Sequence, residues 1–515
     1  MSEFSLPPRV DLLIVGSGPA GSTFARIVHD ARPDAQVLMV DVGPKLTEIA
    51  GENTRNLPEP DREAVAVRSQ GPNGPARLTN PRGRVGDQIA ARPGTFLAHQ
   101  PPIGTDPQRG MPAAAMASAV GGMSAHWTCA CPSPGDSEVI GFLDPATLDA
   151  ALDRARALLH VTQEAFTPTP EGELVRARLS EHFDDGRPAD RRVQPMPLAC
   201  IPQGPGKLPR WSGAAEILGD LAGDSATPGF VLSPETLCRR LIHSEGRVSA
   251  AELLHLPTGT VVTVEVGHVV VAADALRSPQ LLWASDIRPT ALGRYLNDQP
   301  QMMSAIALDT SELEAGGDDG DPGRDDEKDH RDALTGVTWV PLHEPELPYH
   351  GQMMQLAASP IVVGSATVNR PTIGVGYFLT KDIRAEDRVE FSADAADDYG
   401  MPAMTIHYEL TETDWANVAR AEESLRKAGA ALGTYITDGE PRLLPAGSSM
   451  HYQGSVRMGE HDDGTSVCDR DSRVWGFANL QVAGNGVIPT PTACNPTLTN
   501  VALAVIAANS LVAEL

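Results

Sequence analysis

Positive charge is in short supply in this chain: 41 lysines and arginines stand against 67 aspartates and glutamates in 515 residues, for a formal net charge of -26. That balance argues against nucleic acid or an anionic membrane as a partner, because phosphate would be repelled over most of the surface. Cysteine is scarce as well. Six in so long a chain are too few for a disulfide framework, and a reducing compartment would keep them as thiols. Cys129 and Cys131 form a CxC pair with no further ligands at zinc spacing, and it is not the CxxC of a disulfide reductase, so the cysteines read as packing residues. No apolar run reaches the roughly eighteen residues of a membrane span, and the start MSEFSLPPRV lacks a charged segment followed by an apolar one. The expectation is a cytoplasmic protein with no metal, acting on a small neutral or cationic substrate.

What is present begins with VDLLIVGSGPAGSTFARIVHD, an apolar strand from Val10 to Val15, a glycine turn and a helix that Pro33 helps to end. A second strand, AQVLMVDVG, reaches Asp41, so strand, turn, helix and strand make a βαβ unit of about thirty residues. Gly16, Gly18 and Gly21 spell G-x-G-x-x-G. Glycine at these places permits the tight turn, the approach of a pyrophosphate and close helix packing, while Asp41 can accept from a ribose. The motif implies a dinucleotide and leaves FAD and NAD unresolved.

Residues 45–109 are rich in proline, glycine and polar residues, which suggests a long wrapping or lid-like loop. Helical spacing marks residues 145–165, 278–287 and 412–432. Short strands are expected over 230–271, with TVEVGHVVV closing a β-meander, and the Val, Ile, Thr and Tyr content of 335–410 suggests the sheet of a substrate lobe. The acidic run within 309–332 has almost nothing apolar to bury and lacks the EF-hand order of ligands, so it reads as a solvated excursion.

The end of the chain carries the chemistry. MHYQGSVRMGE holds His451, and LQVAGNGVIPTPTACNPTLTNVALAVIAANSL holds Asn495. Asn495, Pro496 and Thr497 run into an apolar helix, the pattern of an asparagine N-cap with proline at the first helical position, which would aim free N–H groups at a neighbouring electron-rich ring. A histidine with an ordinary pKa of about 6.5 suits proton abstraction near neutral pH. Oxidising an alcohol removes a proton and a hydride; a histidine base can take the first and a flavin ring the second.

GSGPAG with VDVG, VGGMSAHWTC (120–129), AADALRSPQLLWAS, LGRYLNDQP (292–300), HYQGSVRMG, GNGVIPT and NPTLT, in this order, resemble the glucose-methanol-choline (GMC) oxidoreductases. Within them the chain is similar to the pyranose oxidase branch and its bacterial glycoside 3-oxidase relatives. The resemblance implies an α/β fold, a Rossmann-like FAD-binding domain interleaved with an α+β substrate domain on a mixed or antiparallel sheet. On this pattern residues 1–145, 211–300 and 436–515 would build the FAD domain, and 146–210 and 301–435 the substrate domain. His451 would be the base and Asn495 would orient the same substrate oxygen. Gly16, Gly18, Ala20, Gly21 and Asp41 would hold the dinucleotide, with Cys238 beside the adenine. Gly121, Gly122, Met123, Ser124, Trp127 and Thr128 would run along the isoalloxazine, and Gly484, Asn485, Pro496 and Thr497 would close its other side. His126 sits where fungal pyranose oxidases join a histidine covalently to FAD, but Ala125 replaces the threonine of their motif, which leaves covalent attachment open. Gln352 resembles a sugar-contacting glutamine. The implied reaction is oxidation of a ring hydroxyl at carbon 2 or 3 of a pyranose sugar or glycoside, with electrons passed to O2 or a quinone-like acceptor. Alternatives are a lyase of the same family that keeps FAD only structurally, and a non-catalytic FAD-binding protein. Oligomeric state is not readable.

Overall fold

The computed structural model describes residues 4–72, 84–85, 88–99, 106–205, 207–223, 227–314, 334–356, 371–436 and 439–515. Strand Arg9–Val15 is buried from Leu12 onward, as an inner strand covered on both faces must be. It pairs in parallel with Val37–Val40 on one side and Thr260–Val271 on the other. Phe230–Ser233 extends the sheet in parallel beyond Val37–Val40. The long strand Thr260–Val271 is shared: its first half pairs antiparallel with Arg247–His255, and its second half pairs in parallel with Leu480–Val482. The meander is therefore Thr236–Ser244, Arg247–His255 and Thr260–Val271, while Phe230–Ser233 stands apart from it at the opposite edge. Helix Thr497–Val512, apolar nearly all round, packs between helices Pro19–Ala31 and Pro145–Leu159.

A second sheet of seven strands is antiparallel throughout and includes Gln301–Leu308, Leu334–Val340, Tyr349–Leu356 and Thr372–Leu379. Alternation along these strands divides their side chains. Met302, Ile306, Tyr349, Met353, Val375 and Tyr377 enter a core with helices Pro170–Phe183 and Glu412–Leu432. Gln301, Gln352 and Phe378 fall on the opposite face and line a cavity between the two sheets. Arg388–Ala396 and Pro402–His407 form a separate ribbon outside the second sheet.

Several boundaries differ from the sequence expectations. The helix expected over 145–165 ends at Leu159, and the one expected over 278–287 runs Asp274–Ala284 with Pro279 inside it. Asp274 explains the early start, because its side chain accepts from Leu276 N (2.6 Å) and Arg277 N (3.0 Å). The stretch expected as a loop over 45–109 contains helix Glu59–Arg68, and helix Pro170–Phe183 was not anticipated. Of the acidic run, residues 315–332 lie outside the described residues. All six cysteines are buried and unpaired. Among the described residues, no helix is long and apolar enough to cross a membrane and no cluster of side chains suits a metal ion.

Lys381 is wholly buried, its Nζ 2.6 Å from Asp387 Oδ2 and 3.8 Å from Asp414 Oδ2. Arg384 donates to both oxygens of Asp387 as well (3.0 and 2.9 Å). Removing one member of a buried pair strands the others, so Lys381→Met is expected to destabilise the protein by roughly 3–5 kcal/mol. A calorimetric scan reads this as a large fall in the melting temperature; a midpoint equal to the parent's would show that the pair is not structural.

Candidate active site

The glycine turn is built as its motif requires. Gly16 has φ +103°, and a Cβ there would collide with the Ala272 carbonyl; one on Gly21 would collide with the Gly16 carbonyl. Gly18 is bare toward the cavity, with nothing nearer to its Cβ position than Gly121 O at 3.9 Å. Asp41 braces the turn. Its Oδ2 accepts from Ser17 N (3.0 Å) and Ser17 Oγ (2.6 Å), and its Oδ1 accepts from Gly43 N (2.8 Å). Burial pushes the Asp41 carboxyl up while these donors pull it down.

Ser17 Oγ also accepts from Gly121 N (2.8 Å), which ties the turn to the segment Gly121–Thr128. Gly121 adopts φ +95° ahead of a 3-10 turn over Gly122–Ala125, and Ser124 Oγ donates back to Gly121 O (2.7 Å). Gly16, Gly18, Ala20, Asp41, Gly122, Met123, Ser124, His126, Trp127, Thr128, Cys238, Gly484, Asn485, Gln352, His451, Asn495 and Thr497 all line one cavity of about 540 Å³, a size typical of small-molecule and cofactor sites. Gly21, Gly121 and Pro496, also expected at the site, are not among its lining residues. Asn485 Oδ1 and Asn500 Oδ1 are buried in the cavity wall without a protein partner, and Gly484, at φ +104°, leaves bare backbone facing it. These are the orphaned acceptors and open glycines that a bound ligand with its own N–H and phosphate groups would satisfy.

His451 and Asn495 meet in this cavity, with Asn495 Nδ2 3.2 Å from His451 Nε2. Gln352 Nε2 donates in a short hydrogen bond to Asn495 Oδ1, so the Asn495 amide presents its NH2 to the histidine. Asn495 is not the N-cap expected of it. Helix Thr497–Val512 is capped at Pro496, whose carbonyl accepts the first helical bond from Asn500 N (2.8 Å), because the Asn495 side chain is held by His451 and Gln352 instead. His451 Nδ1 lies 2.7 Å from Gln299 Oε1. Burial, and secondarily the Arg92 guanidinium, lower the His451 pKa to about 3.

His126 has both ring nitrogens against hydroxyls: Nε2 is 2.8 Å from Ser69 Oγ and Nδ1 is 3.3 Å from Thr54 Oγ1. Burial takes its pKa down to about 4.

Four residues of the site were not singled out from sequence. Asp298 accepts from Gly447 N (3.1 Å), His451 N (3.3 Å) and, in a short bond, Ser449 Oγ. Gln299 reaches His451. Glu138 accepts from Ala493 N (2.8 Å) and Cys494 N (2.7 Å), just ahead of Asn495. Arg92 lines the cavity, and its Nη2 donates to Ser448 O (2.9 Å). Only Asp298 and Gln299 lay within a recognised motif, LGRYLNDQP, and nothing in that motif shows which distant segments they bind.

Comparison with known proteins bears on this geometry. Residues 385–504 match the family model described as GMC oxidoreductase. The chain is 46% identical over 526 residues to a C-glycoside 3-oxidase of Microbacterium trichothecenolyticum, covering 100% of this chain and 99% of that one. It is 32% identical over 547 residues to a pyranose 2-oxidase of Tricholoma matsutake, covering 98% and 94%. The solved pyridoxine 4-oxidase from Mesorbium loti shares the fold at a TM-score of 0.61 and 18% identity, over 98% of this chain and 99% of that one. The HYQGSVRMG segment and the NPTLT helix start both fall within residues 385–504, and the chain belongs to the GMC oxidoreductases, in the group that holds the C-glycoside 3-oxidases and pyranose 2-oxidases.

Proposed function

We propose that this protein oxidises a secondary hydroxyl of a pyranose ring to the ketone, taking carbon 3 of a C-glycoside, with O2 or a quinone-like compound as final electron acceptor. The observation that carries the reading is the 3.2 Å meeting of His451 Nε2 and Asn495 Nδ2 at the cavity wall. One group can accept a proton and the other can donate to the same substrate oxygen. The preference for carbon 3 over carbon 2 follows the nearer of the relatives described above.

The braced glycine turn, bare Gly18 and Gly484, and the orphaned Asn485 and Asn500 oxygens fit FAD. Bound FAD supplies the two-electron acceptor for the carbinol carbon. The chain's own part is acid–base and positional. Neutral His451 takes the hydroxyl proton at Nε2, Asn495 Nδ2 holds the oxygen in place, and Gln352 keeps the Asn495 amide turned the right way. His126 is engaged by Ser69 and Thr54 at both nitrogens, which supports FAD held without a covalent bond to it.

Anaerobic mixing with aryl C-glucosides, O-glucosides and free glucose is the direct test. The flavin should bleach, fastest with the C-glucoside, and the product should carry a ketone at carbon 3. A flavin that no sugar bleaches would leave the lyase or binding-protein alternatives standing. His451→Ala should keep its FAD yet be reduced at least about 10²-fold more slowly; reduction at the parent rate would remove His451 from the role.

Because the neutral imidazole is the base and its pKa is lowered to about 3, the reduction rate should be flat from neutral pH down through the range where a free histidine titrates. It should fall only as pH drops toward 3. An acid limb near the ordinary value of about 6.5 would contradict the burial argument. Acid precipitation should give a colourless pellet and a yellow supernatant, and a yellow pellet would establish a covalent bond.

A further inference from the structure

We propose that Gln299 is the positioning residue that decides which nitrogen of His451 serves as base, and that it couples this choice to the placement of Asn495. The inference rests on the function proposed above.

An imidazole has two possible neutral tautomers, and only the one with a bare Nε2 can take a proton at the cavity. Which end of a glutamine amide faces a neighbour is settled by its other contacts. Gln299 Nε2 lies 2.8 Å from Cys494 O and 3.2 Å from Thr492 Oγ1. Cys494 O is a carbonyl and can only accept, so the NH2 group of Gln299 must face it. Oε1 is then the atom turned to His451, and it too can only accept. At 2.7 Å His451 Nδ1 must carry the hydrogen, which leaves Nε2 unprotonated. The opposite end of the network agrees with this direction. Gln352 donates to Asn495 Oδ1, so Asn495 offers N–H to His451 Nε2, which must accept. A continuous line Cys494–Gln299–His451–Asn495–Gln352 is thus consistent in one direction of donation only.

Gln299 is 1% exposed and is not among the residues that line the cavity. It therefore acts on substrate only through His451 and through the Thr492–Asn495 segment. The charged and titratable groups around the ring are Arg92, Asp298, His350 and Tyr452. Asp298 bonds the His451 backbone N–H, not the imidazole, and Arg92 opposes the protonated ring. Gln299 is the side chain hydrogen-bonded to Nδ1.

The test is anaerobic stopped-flow reduction of the FAD-loaded enzyme by an aryl C-glucoside as a function of pH. Gln299→Leu removes the acceptor and should lower the limiting reduction rate by about ten- to hundredfold, with a much smaller effect on the sugar's Kd from the same titration. Gln299→Glu places a carboxylate against Nδ1–H, which stabilises the imidazolium, so its acid limb should move to higher pH by at least about one unit, tenfold in proton affinity. FAD content and melting temperature report whether either variant has merely lost its fold. Should both fail to fold, ¹⁵N-histidine spectra of the unaltered enzyme, with the His451 signals identified by their loss in His451→Ala, still decide the matter. A protonated Nδ1 and bare Nε2 are expected, and the reverse tautomer overturns the proposal. Folded Gln299 variants with the parent rate and an unmoved acid limb would also overturn it, provided that His451→Ala is not reduced. Parent-rate reduction of His451→Ala would instead refute the proposed function.

Discussion

The site depends on how one buried dipeptide, Asp298–Gln299, grips two segments of chain that lie far away in sequence. Asn297 forms a paired bridge with Gln453 (N···O 2.9 Å in both directions), which brings the dipeptide alongside the His451 segment. Asp298 then receives backbone N–H groups from Gly447 and His451 and the Ser449 hydroxyl, while Gln299 spans from the His451 ring to Cys494. Burial raises the Asp298 pKa to about 6. A carboxylate in such a place is costly unless donors surround it, and here the donors are the loop that carries the base. Glu138 does the same for the second segment through Ala493 and Cys494. Both buried carboxylates therefore spend most of their hydrogen bonds on holding backbone, which is how two loops can present side chains at fixed separation.

The charge acting on His451 is opposite in sign to the net charge of the chain. The chain carries a net charge of -26, yet the group that most affects His451 after burial itself is the cation Arg92. Its effect is to disfavour the imidazolium, so the histidine is kept in the form that accepts a proton. Charged residues of both signs line the cavity, Arg92 and Arg277 with Asp41, Asp274 and Asp397, so the bias toward a neutral His451 is local to Arg92.

Much of the fold could be read before the structure was known, and for local reasons. The strand, glycine turn, helix and second strand leading to Asp41 are all encoded within about thirty residues. Helix Glu412–Leu432 was bounded correctly because Thr411 and Asp414 form a capping box at its start and Gly433 follows its end. Helix Pro170–Phe183 was missed because its buried Val175, Leu179 and Phe183 are thinly spaced among charged residues. At the site, the meeting of the His451 and Asn495 segments was legible, but Asn495 as an N-cap was not correct: the local capping signal lost to His451 and Gln352, which no local pattern reveals. Asp298, Gln299 and Glu138 stayed hidden for the same reason. Their partners in the site lie more than a hundred residues away, and a single glutamine or carboxylate carries no sign of which distant backbone it will bind.

The central claim is that His451 and Asn495 act together on one ring hydroxyl whose carbon gives up its hydrogen with two electrons. The measurement that tests it most directly is anaerobic flavin reduction by an aryl C-glucoside deuterated at carbon 3, compared with the same compound deuterated at carbon 2 and unlabelled. The expected result is slower reduction with the carbon-3 label alone. Slowing by the carbon-2 label alone, or by neither label, would contradict the account.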